Sequence, residues 1–291
     1  MTMTKKKTIK TNSTSGLPKM AGVVTALATP FKKGAVDYES VKRLVVHQMN
    51  HGIQGFVVNG TTAESPTLEQ NEVEKIFKLV KKISDGAVPV LIGTGSNSTK
   101  ETIKKTALAK KLGADAALVV VPYYNKPPQR GLIEHYRAVA KAVKIPIVSY
   151  NVPGRTVVSM TAETIIELSK IKGVVGVKEA SGDLRTLGAV APEVSKDFLL
   201  SSGDDSSAVD FNLIGGHGVI SVVSHVIPAE MVGLVKRAQS KDEDAIEKFK
   251  KYSELNRLMG VEANPIPVKM ALHLMGIFCL ARIAVTAGYI I

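Results

Sequence analysis

Lys178 closes the apolar run Val174-Val175-Gly176-Val177. Strands buried on both faces read as continuous Val/Ile/Leu stretches, and an ammonium inside one costs several kcal/mol unless it is paired or loses its proton. A neutral ε-amine is a nucleophile that condenses with ketones and aldehydes to a Schiff base, and desolvation is one way a lysine reaches that state. The structural alternative is a lysine that snorkels at a strand end or pairs with the adjacent Glu179. Imine chemistry also needs an anion clamp, a proton carrier and a cation for a second electrophile. Three polar stretches offer them: Asn59-Gly60-Thr61-Thr62-Ala63-Glu64-Ser65, Pro122-Tyr123-Tyr124-Asn125-Lys126-Pro127 and Tyr150-Asn151-Val152-Pro153-Gly154-Arg155-Thr156. In the first, a glycine followed by two hydroxyl residues can turn backbone N–H groups toward a carboxylate. Each stretch has a plainer use, since hydroxyls cap helices, tyrosines plug barrel mouths and arginines pair with surface acids.

These stretches follow short β-branched runs that recur from Val23 onward, each succeeded by a helical pattern. The runs are Val23 to Leu27, Gly55 to Val58, Val88 to Gly93, Ala117 to Val121, Ile145 to Tyr150, Val174 to Lys178, Phe198 to Ser202 and Val219 to Val223. Helical patterns between them include Tyr38 to Asn50, Glu69 to Ile83, Lys100 to Leu112, Leu132 to Val143, Ala162 to Ile171 and Ala208 to Ile214. Asp37 and Thr161 read as N-caps, and Thr67-Leu68-Glu69-Gln70 has capping-box spacing. Eight strand-helix units predict an α/β fold of the (β/α)8 TIM-barrel class, with a doubly wound open sheet as the alternative. In such a barrel the strand C-termini carry the active site, which is where the polar stretches and Lys178 fall. The reading divides the chain into a basic arm at 1–20, a catalytic barrel at 21–226 and a C-terminal helical region at 227–291. Helices are expected there around Ala229 to Ser240, Asp242 to Leu258 and Pro267 to Leu274.

Composition narrows the function classes. The chain has 291 residues, 45% hydrophobic and 22% charged, which fits a soluble globular protein. No apolar run approaches the roughly 18 residues of a spanning helix, so no membrane is expected as a partner. Lys5, Lys6, Lys7, Lys10 and Lys19 concentrate charge in the arm, and without those five lysines the net +12 falls to +7. With no tryptophan and 5% aromatic residues, no nucleic-acid partner is expected either. The single cysteine, Cys279, excludes an internal disulfide framework and points to a cytoplasmic protein.

Several separated segments, in order, resemble the dihydrodipicolinate synthase family of pyruvate-dependent class I aldolases, to which N-acetylneuraminate lyases are related. They are Gly60-Thr61-Thr62, Gly93-Thr94-Gly95, Pro122-Tyr123-Tyr124-Asn125, Tyr150 through Thr156, Val177-Lys178-Glu179-Ala180, Ser202-Gly203-Asp204-Asp205, Gly215 through Ser221, and Asn264-Pro265-Ile266-Pro267-Val268-Lys269. The resemblance implies that Lys178 forms an imine with pyruvate and that the derived enamine adds to aspartate semialdehyde, on the route to diaminopimelate and lysine. It implies that Tyr150 shuttles protons through the hydroxyl of Thr61 to Tyr124, supplied by a neighbouring subunit. Backbone groups of Thr61 and Thr62 would hold the pyruvate carboxylate, Arg155 the carboxylate of the semialdehyde, and the main chain of Gly203 and Ile220 would line the pocket. It further implies a homo-oligomer, a tetramer, with neither metal nor organic cofactor.

Arg155 with the Thr61-Thr62 pair favours this activity over sialic-acid cleavage, while an aldolase acting on a sugar acid remains the alternative. A binding or regulatory barrel that keeps Lys178 without turnover is the alternative of another class. Ala63 stands where the family has glycine, so strain is expected if that backbone needs positive φ. Ser65, Asn97, Glu101 and Tyr123 match a feedback site for lysine, but Gln70 and Val73 replace its histidines, so weak or absent inhibition is expected. The tail after Ile277 departs from the family's ending. His47 and His51 have the spacing of a zinc pair without the protease glutamate and read as surface helix. His217 reads as part of a glycine-rich turn, and Gly93-Thr94-Gly95 is too short for a dinucleotide fingerprint.

Overall fold

A computed structural model describes residues 20–278; the basic arm before them and the tail from Cys279 onward lie outside. Eight parallel strands close a barrel: β1 (Gly22–Ala26), β2 (Gly55–Val58), β3 (Val90–Gly93), β4 (Ala116–Val120), β5 (Ile147–Asn151), β6 (Val174–Glu179), β7 (Leu199–Ser202) and β8 (Gly218–Ser221). Each pairs with the next in sequence, and β8 returns to β1 with Ile220 opposite Val24. Closure decides against the open sheet.

The continuous apolar runs are explained by two cores. Outward residues such as Val23, Phe56, Val58, Val90, Ile92, Val119 and Val177 pack beneath the helices. Inward residues Val24, Ala26, Val57, Leu91, Leu118, Val148, Leu199 and Ile220 fill the barrel. Neither face meets water, so alternation of polar and apolar residues is absent.

The outer ring consists of α1 (Tyr38–Asn50), α2 (Gln70–Ser84), α3 (Thr99–Leu112), α4 (Gln129–Ala142), α5 (Ala162–Ser169), α6 (Leu184–Val190), α7 (Ala208–Leu213) and α8 (Pro228–Gln239). Asp37 and Thr161 cap α1 and α5 through their side chains. For α2 the cap is Glu69, in a reciprocal box with Glu72, two residues later than the Thr67 spacing suggests. Only Leu187 and Val190 are buried in the seven-residue α6, which is too little for a periodic signal. Although α8 lies past residue 226, it packs on β1 and α7 and completes the ring. Three short helices follow, α9 (Asp244–Lys250), α10 (Ser253–Met259) and α11 (Ile266–Leu274), the run expected from Asp242 to Leu258 being broken at Lys251-Tyr252. Among the described residues no helix is long and apolar enough to cross a membrane.

Candidate active site

Strand β6 does not run in simple register with β5. Ile147 lies opposite Val174, but Val148 lies opposite Gly176, so one residue of β6 is extruded near Val175. A bulge of this kind re-aims every side chain beyond it. Its effect is to place Lys178 opposite Tyr150 and Glu179 opposite Asn151. Successive side chains of a strand point to opposite faces, which separates the lysine from the adjacent glutamate.

Glu179 is engaged elsewhere. Its two carboxylate oxygens accept from Asn151 Nδ2 at 2.8 Å and from the Ser181 N–H at 2.7 Å. Burial pushes its carboxyl above the usual range, against the pull of these hydrogen bonds. The pairing of Lys178 with Glu179 is therefore excluded. Lys178 is 5% exposed, and among the described residues it makes no ion pair or hydrogen bond. Its Nζ lies 4.4 Å from the ring centroid of Tyr150, a cation–π contact.

Gly203, at the end of β7, is shaped by this lysine. A Cβ there would stand 2.7 Å from Lys178 Cε and 2.6 Å from Ala180 Cβ. Ile220 is buried among the inward residues of β8. The glycines of Gly93-Thr94-Gly95 serve close packing of backbones: a Cβ at 93 would meet the Asn59 carbonyl oxygen at 2.1 Å, and one at 95 the Val120 nitrogen at 2.4 Å.

After β2 the chain turns through a short 3-10 segment, Thr61–Ala63, closed by hydrogen bonds from Ala63 N–H to Gly60 O and from Glu64 N–H to Thr61 O. The N–H groups of Thr61 and Thr62 open the turn and have no partner among the described residues, as expected for first-turn donors. Two adjacent free donors suit a carboxylate. Ala63 is not strained; the left-handed conformations fall on either side of it, at Asn59 (φ 59°) and Glu64 (φ 58°). The expected cost of alanine at 63 is therefore absent.

Arg155 sits on another short turn, Pro153–Thr156, pinned by Thr156 Oγ1, which donates to the Val152 and Val158 carbonyls. Its guanidinium is exposed and donates from Nη2 to the Asn264 carbonyl at 3.0 Å. Thr61, Tyr123, Val152 and Arg155 line one cavity of about 350 Å³ together with Asn264. A smaller one beside it, about 110 Å³, is lined by Thr61, Tyr123 and Tyr150 among others. Lys178 lines neither and meets the smaller cavity through the Tyr150 ring.

The structure thus brings Lys178, Tyr150, Thr61, Thr62, Arg155, Gly203 and Ile220 to one mouth of the barrel. It does not bring Tyr124 there: that side chain is 88% exposed, its φ is 73°, and it lines neither cavity. Among the described residues Tyr150 Oη and Thr61 Oγ1 form no hydrogen bond with each other within the chain.

Residues without a role in the sequence reading also meet here. Asn264 Nδ2 donates to Thr62 Oγ1 at 2.9 Å, and Lys269 Nζ pairs with Glu64 Oε1 at 2.6 Å, both side chains buried. Desolvation pulls the Lys269 ammonium down from its ordinary pKa, and Glu64 pushes it back up. The signal was present, since Lys269 is also a lysine in an apolar setting, but its partner is 205 positions away. The rings of His47 and His51 lie 4.4 Å apart on α1, tilted by 44°, and no group of three metal-ligating side chains exists among the described residues. His217 Nδ1 accepts from the Leu200 N–H and holds the β7–β8 connection.

Comparison with known proteins agrees with this geometry. Residues 19–283 match the model of the dihydrodipicolinate synthetase family. The 4-hydroxy-tetrahydrodipicolinate synthase of Bdellovibrio bacteriovorus is 52% identical over 260 residues, covering 88% of each chain. The crystal structure of dihydrodipicolinate synthase from Thermotoga maritima superposes with a TM-score of 0.87 at 44% identity, over 89% of this chain and 90% of that one. A chloride-inhibited dihydrodipicolinate synthase from Acinetobacter baumannii, solved with pyruvate, gives a TM-score of 0.86 at 39% identity, over 91% and 92% of the two chains. With its closed barrel, its buried lysine and this breadth of match, the chain belongs to the dihydrodipicolinate synthetase family.

Proposed function

We propose that this chain is a lyase that condenses pyruvate with aspartate semialdehyde through a Schiff base on Lys178, yielding 4-hydroxy-tetrahydrodipicolinate for diaminopimelate and lysine synthesis. The observation that carries the reading is the buried Lys178 amine, which has no ion-pair partner among the described residues and lies against Tyr150. The pyruvate-bound relative from Acinetobacter baumannii supports the choice of ketone.

Lys178 Nζ attacks the pyruvate ketone carbon, water leaves, and an imine remains. Loss of a methyl proton gives an enamine, whose carbon forms a bond to the aldehyde carbon of the second substrate. That substrate's own amine then attacks the imine carbon, and the bond to Nζ breaks as the ring closes. Overall one water is released and the lysine is regenerated. Tyr150, the ring nearest Nζ, carries protons to and from the reacting centre, and Thr61 and a neighbouring copy's Tyr124 extend the path. The open N–H pair of Thr61 and Thr62 holds the pyruvate carboxylate. Arg155, whose planar fork matches a carboxylate, receives that of the semialdehyde at the rim. Gly203 and Ile220 line the floor. The protonated imine acts as electron sink, so the reading calls for no metal or organic cofactor. A cytoplasmic homotetramer completes it.

Borohydride reduction with pyruvate followed by intact mass tests the reading. A single pyruvate adduct is expected on the wild-type chain and none on Lys178→Ala; the reverse result refutes it. In Arg155→Ala the adduct forms as before while the KM for the aldehyde rises roughly 10- to 100-fold, the worth of a charge-assisted hydrogen bond. An unchanged KM removes aspartate semialdehyde in favour of an acceptor such as a sugar acid.

A further inference from the structure

The segment from Asn264 to Lys269 reaches both anion-binding turns at once. Lys269 Nζ meets Glu64 Oε1 at 2.6 Å, with side-chain exposures of 1% and 5%. Glu64 holds a left-handed conformation (φ 58°, ψ 42°) and directly follows the Thr61–Ala63 turn. Asn264 Nδ2 donates to Thr62 Oγ1, and the Asn264 carbonyl accepts from Arg155 Nη2. The Lys269 ammonium also lies 4.6 Å from the Phe31 ring, which sits in the two-stranded ribbon after β1.

A buried ion pair rarely adds net stability over apolar replacements, whereas a pair that fixes geometry has a reason to persist. A left-handed glutamate is held against its backbone preference only when its surroundings over-determine it. We infer that Glu64, Lys269 and Asn264 are positioning residues: together they latch the C-terminal segment to the Thr61-Thr62 turn and set its free N–H pair for the pyruvate carboxylate. This rests on the Schiff-base reading of the site. The C-terminal helices are then part of the binding apparatus for the first substrate, although they supply no reacting group.

The latch predicts a change in pyruvate dependence. Half-saturation of borohydride trapping by pyruvate, measured at 25 °C, should rise roughly tenfold in the Glu64→Gln/Lys269→Met double variant, since even small misplacement of a binding group is costly. The saturated trapping rate should stay near wild type, because Lys178 and Tyr150 are untouched. Asn264→Ala keeps the main-chain bond to Arg155, so it should raise pyruvate half-saturation several-fold and leave the KM of the aldehyde unchanged. Thermal unfolding of the same preparations separates positioning from stability, since a merely structural pair would lower Tm without moving half-saturation. Should the double variant fail to fold, Asn264→Ala decides alone. Wild-type half-saturation in every folded variant overturns the latch. Absence of any adduct on the wild-type chain is the distinct result that overturns the Schiff-base reading beneath it.

Discussion

Two buried lysines stand at the same end of this barrel. Lys269 has Glu64 at 2.6 Å; Lys178 has the Tyr150 ring at 4.4 Å and, among the described residues, no ion pair. Both lie in apolar surroundings that make a lone ammonium expensive. The difference lies in the partner. Pairing turns one lysine into a fixed strut between distant segments, and its absence leaves the other available to an incoming carbonyl. Burial alone is therefore a poor guide to a reactive lysine, and the neighbouring carboxylate has to be counted before any role is assigned.

The sharpest way to break this contrast is through the proton carrier. Tyr150→Phe keeps the ring against Lys178 and removes only the hydroxyl, so turnover should fall about 10²- to 10⁴-fold while the fold persists. Steady-state rates and circular dichroism check it, and a loss below tenfold would free Tyr150 of the role. Stability supplies the next test, with opposite signs for the two lysines. Lys269→Met leaves Glu64 buried and unpaired and should destabilise by about 3–5 kcal/mol. Lys178→Met removes a partnerless buried amine and should stabilise by about 1 kcal/mol, the usual yield when a functional strain is relieved. Urea unfolding of both variants measures the pair, and equal signs would erase the distinction drawn between them.

A last test concerns acid. Burial pushes His225 down to about 4, with Nε2 accepting from the Ala28 N–H at 3.0 Å and Nδ1 facing the Val222 carbonyl at 2.8 Å. His135, buried beside the Thr99 hydroxyl, is likewise pulled to about 4. The unfolded chain therefore takes up these protons first. Stability is complete above the ordinary histidine value of 6.5 and is lost as pH falls from there toward 4, by about 3 kcal/mol for His225. Denaturant midpoints between pH 7.5 and 4 should show a shallower decline in His225→Gln; identical slopes would remove His225 as a cause.

Much of the barrel was legible because each strand is buried on both faces and announces itself as an unbroken β-branched run. Tyr38–Asn50 was legible from an N-cap and a stripe. Helix α6 was not, for it buries two side chains and no period of 3.6 can be read from two points. The site divides along the same line. Lys178 and Tyr150 lie in the last residues of their strands, the threonines and Arg155 follow strand ends, and topology gathers strand ends by rule. Glu64 and Lys269 meet only because the last described helix folds back over the first polar turn, and nothing local in either segment encodes that. The bulge near Val175 was equally silent, yet it decides which residue faces Tyr150. Alanine at 63 misled in the other direction, since the left-handed positions of this turn are Asn59 and Glu64.

Gly203 carries one further consequence. A Cβ there would meet Ala180 Cβ at 2.6 Å as well as Lys178 Cε at 2.7 Å and Cγ at 2.9 Å, so Gly203→Ala strains the contact between β6 and β7 and pushes the Lys178 stem aside. The amine would simply hang in the wrong place. A missing methyl group on one strand thus governs the reach of a nucleophile on the next. A homologue that keeps every reactive group but carries a side chain at 203 has to find other room for that lysine.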